Sequence, residues 1–431
     1  MDLSGRVLPV RRVQVLVVIL ALGVRLAAVL YAGGYHQPWL SEYEIIAKSL
    51  VEQGYFGFDF YGRLPNRPSS FMPPFYPFLL AGMMILFPAN ALLITRLLQA
   101  MVSAGSCLLV YKIGKGMFDK EEVGLLAALV AAVYPPFIGG TVEINTVTFD
   151  VLFLALAVYL LLRGGEKQTR DALWAGLSLG LAALTRATAL AVLPVIFAWL
   201  WLRSKNATWH GVIKPFILVL LAAFLVILPW TIRNYLVHRE FILISSNGGL
   251  NFWIGNNEKA TGEYAFPSGT DPELFTRALS LSEAQMDRLY YQEAFGFIRD
   301  HSRQFLGLLV RKTLYFWLFR PNIGSNYPDA GNAVALAKAL YVFSYILLLP
   351  LGALGIILSL GSWRKLFLIY GLLVSQMMVH VLYFVGTRFR TPIDPYLLTF
   401  AAFAIIVSVD YVRASVRKMD HAPFPMAQNK S

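Results

Sequence analysis

Ser41-Glu42-Tyr43-Glu44 sets two carboxylates at the start of a short amphipathic stretch, just after the first long apolar run. The S-x-x-E spacing fits a capping box, with Ser41 as N-cap and Glu44 folding back from the third helical position. Glu42 is left without that role. It reads either as an acid favoured by the helix dipole or as a general base that the same helix end keeps ionised. Glu143, in the turn GGTVEINTVTFD, is a second acid outside the apolar runs, either a solvated loop residue or a site partner. Asp150 follows on the same helical face, at a depth where an acid is costly. Pairing with Arg25, inside the first apolar run, is the structural alternative to a function for Asp150.

Arginines gather in short segments between apolar runs: Arg186, Arg233, and the pair Arg388 and Arg390. A guanidinium suits a phosphate through paired donors, although a lone arginine also snorkels to lipid headgroups. Asn247-Gly248-Gly249 and Gly255-Asn256-Asn257 read as tight turns around Phe252 and Trp253 that could face a sugar, or simply as turns. The histidines show no metal-ligand spacing, and no nucleophile-elbow or Walker pattern occurs. The glycosylation tripeptide at Asn206 falls in an expected cytoplasmic loop.

The elements that must position these residues are membrane spans. Of 431 residues, 57% are hydrophobic and only 14% charged, well under the quarter or so usual in soluble domains. The formal net charge of +12 does not point to nucleic acid, because the basic residues sit mostly between apolar runs, as topology and anionic headgroups require. The single cysteine, Cys107, lies inside an apolar run and excludes a disulfide framework within the chain.

Apolar runs of spanning length fall near 13–32, 92–111, 122–140, 146–162, 172–184, 188–202, 214–231, 336–360, 366–385 and 395–412, which predicts ten spans with both termini cytoplasmic. Lys112, Lys115, Lys120, Arg163, Arg203 and Lys365 then fall on the inner side, as the positive-inside rule expects. Two outer segments, 33–91 and 233–335, are too long to be connectors. The first predicts an interfacial helix at Glu42 and a short apolar segment from Pro73 to Phe87. The second turns helical after Asp271-Pro272 and Ser282-Glu283, and its stretch Arg303–Arg320 reads as interfacial. A tail from 413 to 431 completes the chain, disordered after Met419.

Together these pieces resemble the GT-C superfamily of membrane glycosyltransferases, in particular bacterial relatives of the dolichyl-phosphate-mannose–protein mannosyltransferases and of the lipid A aminoarabinose transferase. The resemblance rests on E-Y-x-x-x-A-x-x-L-x-x-x-G from Glu42 to Gly54, P-P-x-Y-P from Pro73 to Pro77, and Y-P-P at Tyr134 followed by Glu143. It continues through G-L-A-A-L-T-R ending at Arg186, P-W-T-I-R-N-Y at Pro229, and R-F-R-T-P-I-D-P from Arg388. It implies an all-α polytopic fold over residues 1–412, in a bacterial inner membrane, with an extracytoplasmic active site.

It also implies inverting transfer of a sugar from a polyprenyl-phosphate donor to a hydroxyl acceptor (lipid, glycan or protein). Glu42 would be the base, with Glu143 the second acid. Arg186, Arg233, Arg388 and Arg390 would face the donor phosphate, and Tyr43, Asn247, Trp253 and Asn256 the substrate. No cofactor is required, although a divalent cation, magnesium or manganese, held by Glu42 and Glu143 stays open. The partners implied are the lipid-linked donor, the acceptor and membrane lipids. There is one departure: many relatives carry an aspartate four residues before the tyrosine, where this chain has Trp39, which leaves an inactive scaffold as a further reading. Another is a lipid or polyanion transporter using Arg25, Asp150 and the outer arginines, but no convincing internal repeat supports it.

Overall fold

The computed structural model describes residues 9–31, 41–60, 62–63, 66–163, 168–204, 209–317 and 331–420. Helix α1 (Val10–Tyr31) leads to a block made of α2 (Glu42–Glu52), an antiparallel ribbon of β1 (Gly57–Phe58) and β2 (Arg67–Pro68), and α3 (Phe75–Leu86). Then come α4 (Ala91–Phe118), α5 (Glu121–Ala132), α6 (Pro135–Val142), α7 (Val147–Arg163), α8 (Gln168–Thr185), α9 (Leu193–Arg203) and α10 (Lys214–His238). A second block holds α11 (Gly248–Gly255), α12 (Pro267–Thr270), α13 (Pro272–Leu279), α14 (Glu283–Asp300) and α15 (Ser302–Trp317). The chain closes with α16 (Gly331–Ser359), α17 (Trp363–Leu382), α18 (Thr387–Arg390) and α19 (Asp394–Asp420).

Among the described residues five helical stretches are long and apolar enough to cross a membrane, and six if α5 and α6, bent by 45°, form one span. The ten apolar runs map onto these and onto shorter pieces. Runs 336–360 and 366–385 join into one stretch, Ala335–Leu382, because only a 3-10 turn at Leu360–Ser362 separates them. Runs 146–162, 172–184 and 188–202 become α7, α8 and Ala187–Arg203, the last starting as a 3-10 turn.

The bend between α5 and α6 has a readable cause. Pro135 and Pro136 lack the N–H groups that would reach back to Ala131 and Ala132. Arg25 of α1, fully buried, supplies donors instead: its Nη1 gives to Ala132 O at 2.7 Å and its Nη2 to Ala131 O at 3.1 Å. Its Nε donates to Ser103 Oγ at 2.8 Å. The expected pairing of Arg25 with Asp150 is therefore corrected. Arg25 is already committed to backbone oxygens, and Asp150 pairs with Arg186.

The largest core lies among α1, α4, α5, α7–α9 and the last helices. A second core joins the two blocks, with Phe58 stacked on Phe71 at 5.0 Å and Phe56 against Trp230 at 4.8 Å. Buried Glu283 ties them: its Oε2 accepts from Ser70 N and from Ser246 Oγ, each at 2.8 Å. At the far ends of the helices, Lys120–Asp410 and Lys365–Asp119 are ion pairs at 2.9 and 2.6 Å. That is the end the positive-inside rule assigns to the cytoplasm.

The glycine string after Asn247 is corrected from turns to the helix α11, which Asn247 precedes. Asp287 Oδ1 accepts from Gly249 N at 2.6 Å and so satisfies a first-turn donor of that helix. α19 runs to Asp420, past the expected end of the membrane domain at 412. Trp39, Asn206 and residues 421–431 lie outside the described residues.

Candidate active site

α2 starts as its spacing predicts: Ser41 N donates to Glu44 Oε2 at 3.0 Å, and Glu44 N to Ser41 Oγ at 3.3 Å. Glu44 is buried in that role, while Glu42, one residue into the helix, stays half-buried. Tyr43 turns inward, edge-on to Tyr76 at 5.2 Å, and its phenol meets the Thr146 side chain. The helix is thus docked on the turn that carries Glu143.

That turn is held by α4. Gln99 Nε2 donates to Thr141 O at 3.1 Å and Glu143 O at 2.9 Å, and Arg96 Nε to Val142 O at 2.8 Å. Asn145 Nδ2 donates to Glu143 Oε2 at 2.7 Å. Burial raises the Glu143 carboxyl above the usual range, while Arg388 and Asn145 pull it back. Removing a carboxylate from water disfavours its charged form, and a nearby guanidinium offsets this.

Arg186 enters at the end of α8. Its Nε stands 3.3 Å from Asp150 Oδ2, its Nη2 donates to Thr146 Oγ1 at 3.2 Å, and its guanidinium lies 4.9 Å from the Phe389 ring centroid. Its Nη1 is buried and has no hydrogen-bond partner among the described residues. Arg388, exposed, flanks the same ring at 5.2 Å. Burial raises the Tyr43 phenol, and Arg186 and Arg388 both act against that rise.

Tyr264 closes the group from the second block. Burial pushes its phenol up to about 12; Glu42 pushes the same way, and Arg388 pulls back. Its ring packs on Phe266 and Phe384 at 5.4 and 5.6 Å. The structure therefore brings Glu42, Tyr43, Glu143, Arg186 and Arg388 into one electrostatic neighbourhood. It adds Thr146 and Phe389, which the sequence showed only as neighbours of Glu143 and Arg388, and Tyr264, for which the sequence carried no motif.

The other expected contacts lie elsewhere. Arg233 gives its Nη1 to Ser69 O at 2.5 Å and its Nη2 to Phe56 O at 3.1 Å, pinning the first block to α10. Arg390 is buried: Nε donates to Tyr345 Oη at 2.8 Å and Nη1 to Phe316 O at 2.7 Å, beside an Asp394 that accepts from Tyr134 and Tyr345. These two, expected to face the phosphate, make backbone and tyrosine contacts instead, although Arg390 Nη2 is buried without a hydrogen-bond partner among the described residues. Asn247 Nδ2 points to Met72 Sδ at 3.3 Å. Trp253 is buried against Tyr290, and Asn256 is fully buried with Nδ2 on Phe252 O and Leu382 O.

Glu42 and Glu143 are carboxylates, and magnesium is usually bound through one or two carboxylates together with waters and substrate phosphates. No group of three His, Cys, Asp or Glu side chains that could hold a metal occurs among the described residues.

Residues 72–232 match the family model described as dolichyl-phosphate-mannose-protein mannosyltransferase. No curated protein sequence matches the chain. The fold is similar to that of the Archaeoglobus fulgidus oligosaccharyltransferase in its apo form (TM-score 0.59, 15% identity, 97% of this chain and 53% of that one). The same enzyme, AglB, in complex with an inhibitory peptide and a dolichol-phosphate gives a TM-score of 0.54 at 14% identity, covering 97% and 52%. ArnT from Cupriavidus metallidurans bound to undecaprenyl phosphate aligns more loosely, at TM-score 0.44 and 14% identity over 96% and 81%. The chain spans about half the length of the oligosaccharyltransferase it resembles. The chain thus shares the fold of the Archaeoglobus fulgidus oligosaccharyltransferase, and the mannosyltransferase family match spans its second to seventh expected apolar runs.

Proposed function

We propose that the chain moves a sugar from a polyprenyl-phosphate carrier to a hydroxyl acceptor at the extracytoplasmic membrane face, with Glu42 as general base. The observation that supports this is that Arg388 acts electrostatically on Glu143 and also on Tyr43 and Tyr264, the two phenols that Glu42 acts on, with Arg186 acting on Tyr43 as well. AglB, which shares the fold, has been captured with a dolichol-phosphate, and that supports a lipid phosphate as leaving group here.

The chemistry follows from the residue types. An acceptor hydroxyl is a weak nucleophile until its proton is taken, and a carboxylate within reach does this as the new C–O bond forms. The bond from the anomeric carbon to the phosphate oxygen breaks, and the polyprenyl phosphate leaves with the electron pair. Arg388 and the unused Nη1 of Arg186 meet the growing charge with donors already in place. A single displacement inverts the anomeric centre. Glu143 shapes the field around the reacting atoms and orients the acceptor.

The test is incubation of the reconstituted protein with a panel of polyprenyl-phosphate sugars, scoring release of the lipid phosphate. Glu42→Gln is expected to abolish release. Glu44→Gln, which keeps a capping-box residue at the third helical position, is expected to leave turnover in place. Full release from folded Glu42→Gln protein removes Glu42 as the base.

A further inference from the structure

Lys312 of α15 is fully buried, burial pushes its ammonium down to about 7, and it makes no ion pair among the described residues. A buried, unpaired lysine is costly, so its hydrogen bonds need an account. Nζ donates to Asn256 Oδ1 at 2.9 Å and lies 3.5 Å from Leu382 O, at the C-terminal end of α17. Asn256 Nδ2 donates to the same Leu382 oxygen at 2.8 Å. A cation at a helix C-terminus answers carbonyls that have no partner within the helix.

The side chain threads between two glycines. A Cβ on Gly255 would stand 3.2 Å from Lys312 Nζ and 1.7 Å from Tyr383 O, so the backbone after α17 lies directly against α11. A Cβ on Gly262, whose φ is +97°, would stand 3.2 Å from Lys312 Cγ. Gly262 O in turn accepts from Val385 N at 2.9 Å. Two residues after Gly262 comes Tyr264, and three after Val385 comes Arg388. The lysine thus sits where the segment bearing Tyr264 and the turn bearing Arg388 are stitched together.

We propose that Lys312, acting through Asn256 and the end of α17, is a positioning residue that sets Arg388 and Tyr264 over Glu42 and Glu143. The proposal rests on the transferase reading for its consequence, but the clamp itself is independent of it. The ammonium is too deeply enclosed to touch substrate. Its effect passes through backbone that carries two side chains of the site.

The experiment compares full-length wild type and Lys312→Met in lipid nanodiscs. Amide hydrogen exchange at 383–388 and 260–264 is expected to speed up in the variant while exchange in α4 and α7 is unchanged. Donor kcat/KM is expected to fall roughly 10- to 100-fold, the scale of a small misplacement at a reacting centre, with acceptor KM unchanged. Adding Arg388→Ala to Lys312→Met should cost little beyond Arg388→Ala alone, as expected for residues acting through one another. Unchanged exchange overturns the clamp, and losses that multiply with Arg388→Ala overturn its action through that arginine. If the wild type turns over no donor, the transferase reading fails and exchange alone decides the clamp. If Lys312→Met does not fold, Asn256→Ala, which removes the bond to Leu382 O, is read in the same way.

Discussion

Arg186 Nε stands 3.3 Å from Asp150 Oδ2, and this contact joins the end of α8 to the first turn of α7 at the edge of the site. Both side chains are largely enclosed. Taking away one partner leaves the other charge buried and unanswered, at a cost of about 3–5 kcal/mol. Asp150→Ala is expected to lower stability by the lower end of that range, since Arg186 retains Thr146. The double variant Asp150→Ala/Arg186→Met should recover much of the loss. Thermal unfolding in nanodiscs measures both.

Under the proposed reaction, Glu143 and Arg388 are expected to set the acid side of the pH profile. Burial raises the carboxyl, and the guanidinium counters it. Arg388→Ala removes the counterweight, so the Glu143 pKa moves further up. Activity that needs an ionised Glu143 is then lost at a higher pH on acidification. The expected outcome is an acidic limb of log kcat/KM displaced upward in pH in Arg388→Ala, beyond any uniform loss of rate. A limb that stays in place separates Glu143 from the rate.

The joint at α11 gives a stability signature. Burial raises Asp287 from its ordinary 3.8 to about 6, against the pull of the Gly249 amide. Between those values the folded chain keeps a proton that the unfolded chain has lost, so stability falls as pH rises through the interval. Asp287→Asn removes that fall. The variant's melting temperature relative to wild type is expected to increase from pH 4 to pH 7, and a constant difference across that range would refute it.

What the sequence made legible was local chemistry. The capping box at Ser41, the N-caps at Asp271 and Ser282, and the apolar runs all follow from neighbours within a few residues, and the structure carries them. Partner choice was not legible. Arg25 and Asp150 are both intramembrane charges, and pairing them is reasonable until the carbonyls freed by Pro135 and Pro136 are known to face α1. Arg233 and Arg390 share a residue type with Arg186 and Arg388, yet the chain folds them onto backbone oxygens. Tyr264 sits in a segment with no periodicity, and the bond from Val385 N to Gly262 O and its packing on Phe384 hold it at the site.

The guanidinium that fills the elbow between α5 and α6 belongs to the N-terminal helix. Two carbonyls in the middle of the chain therefore wait, during synthesis, on a side chain that left the ribosome a hundred residues earlier. A leader exchange or fusion that replaced this helix with any other hydrophobic segment would still anchor the protein. It would leave the elbow without the donors that Arg25 gives to Ala131 O and Ala132 O.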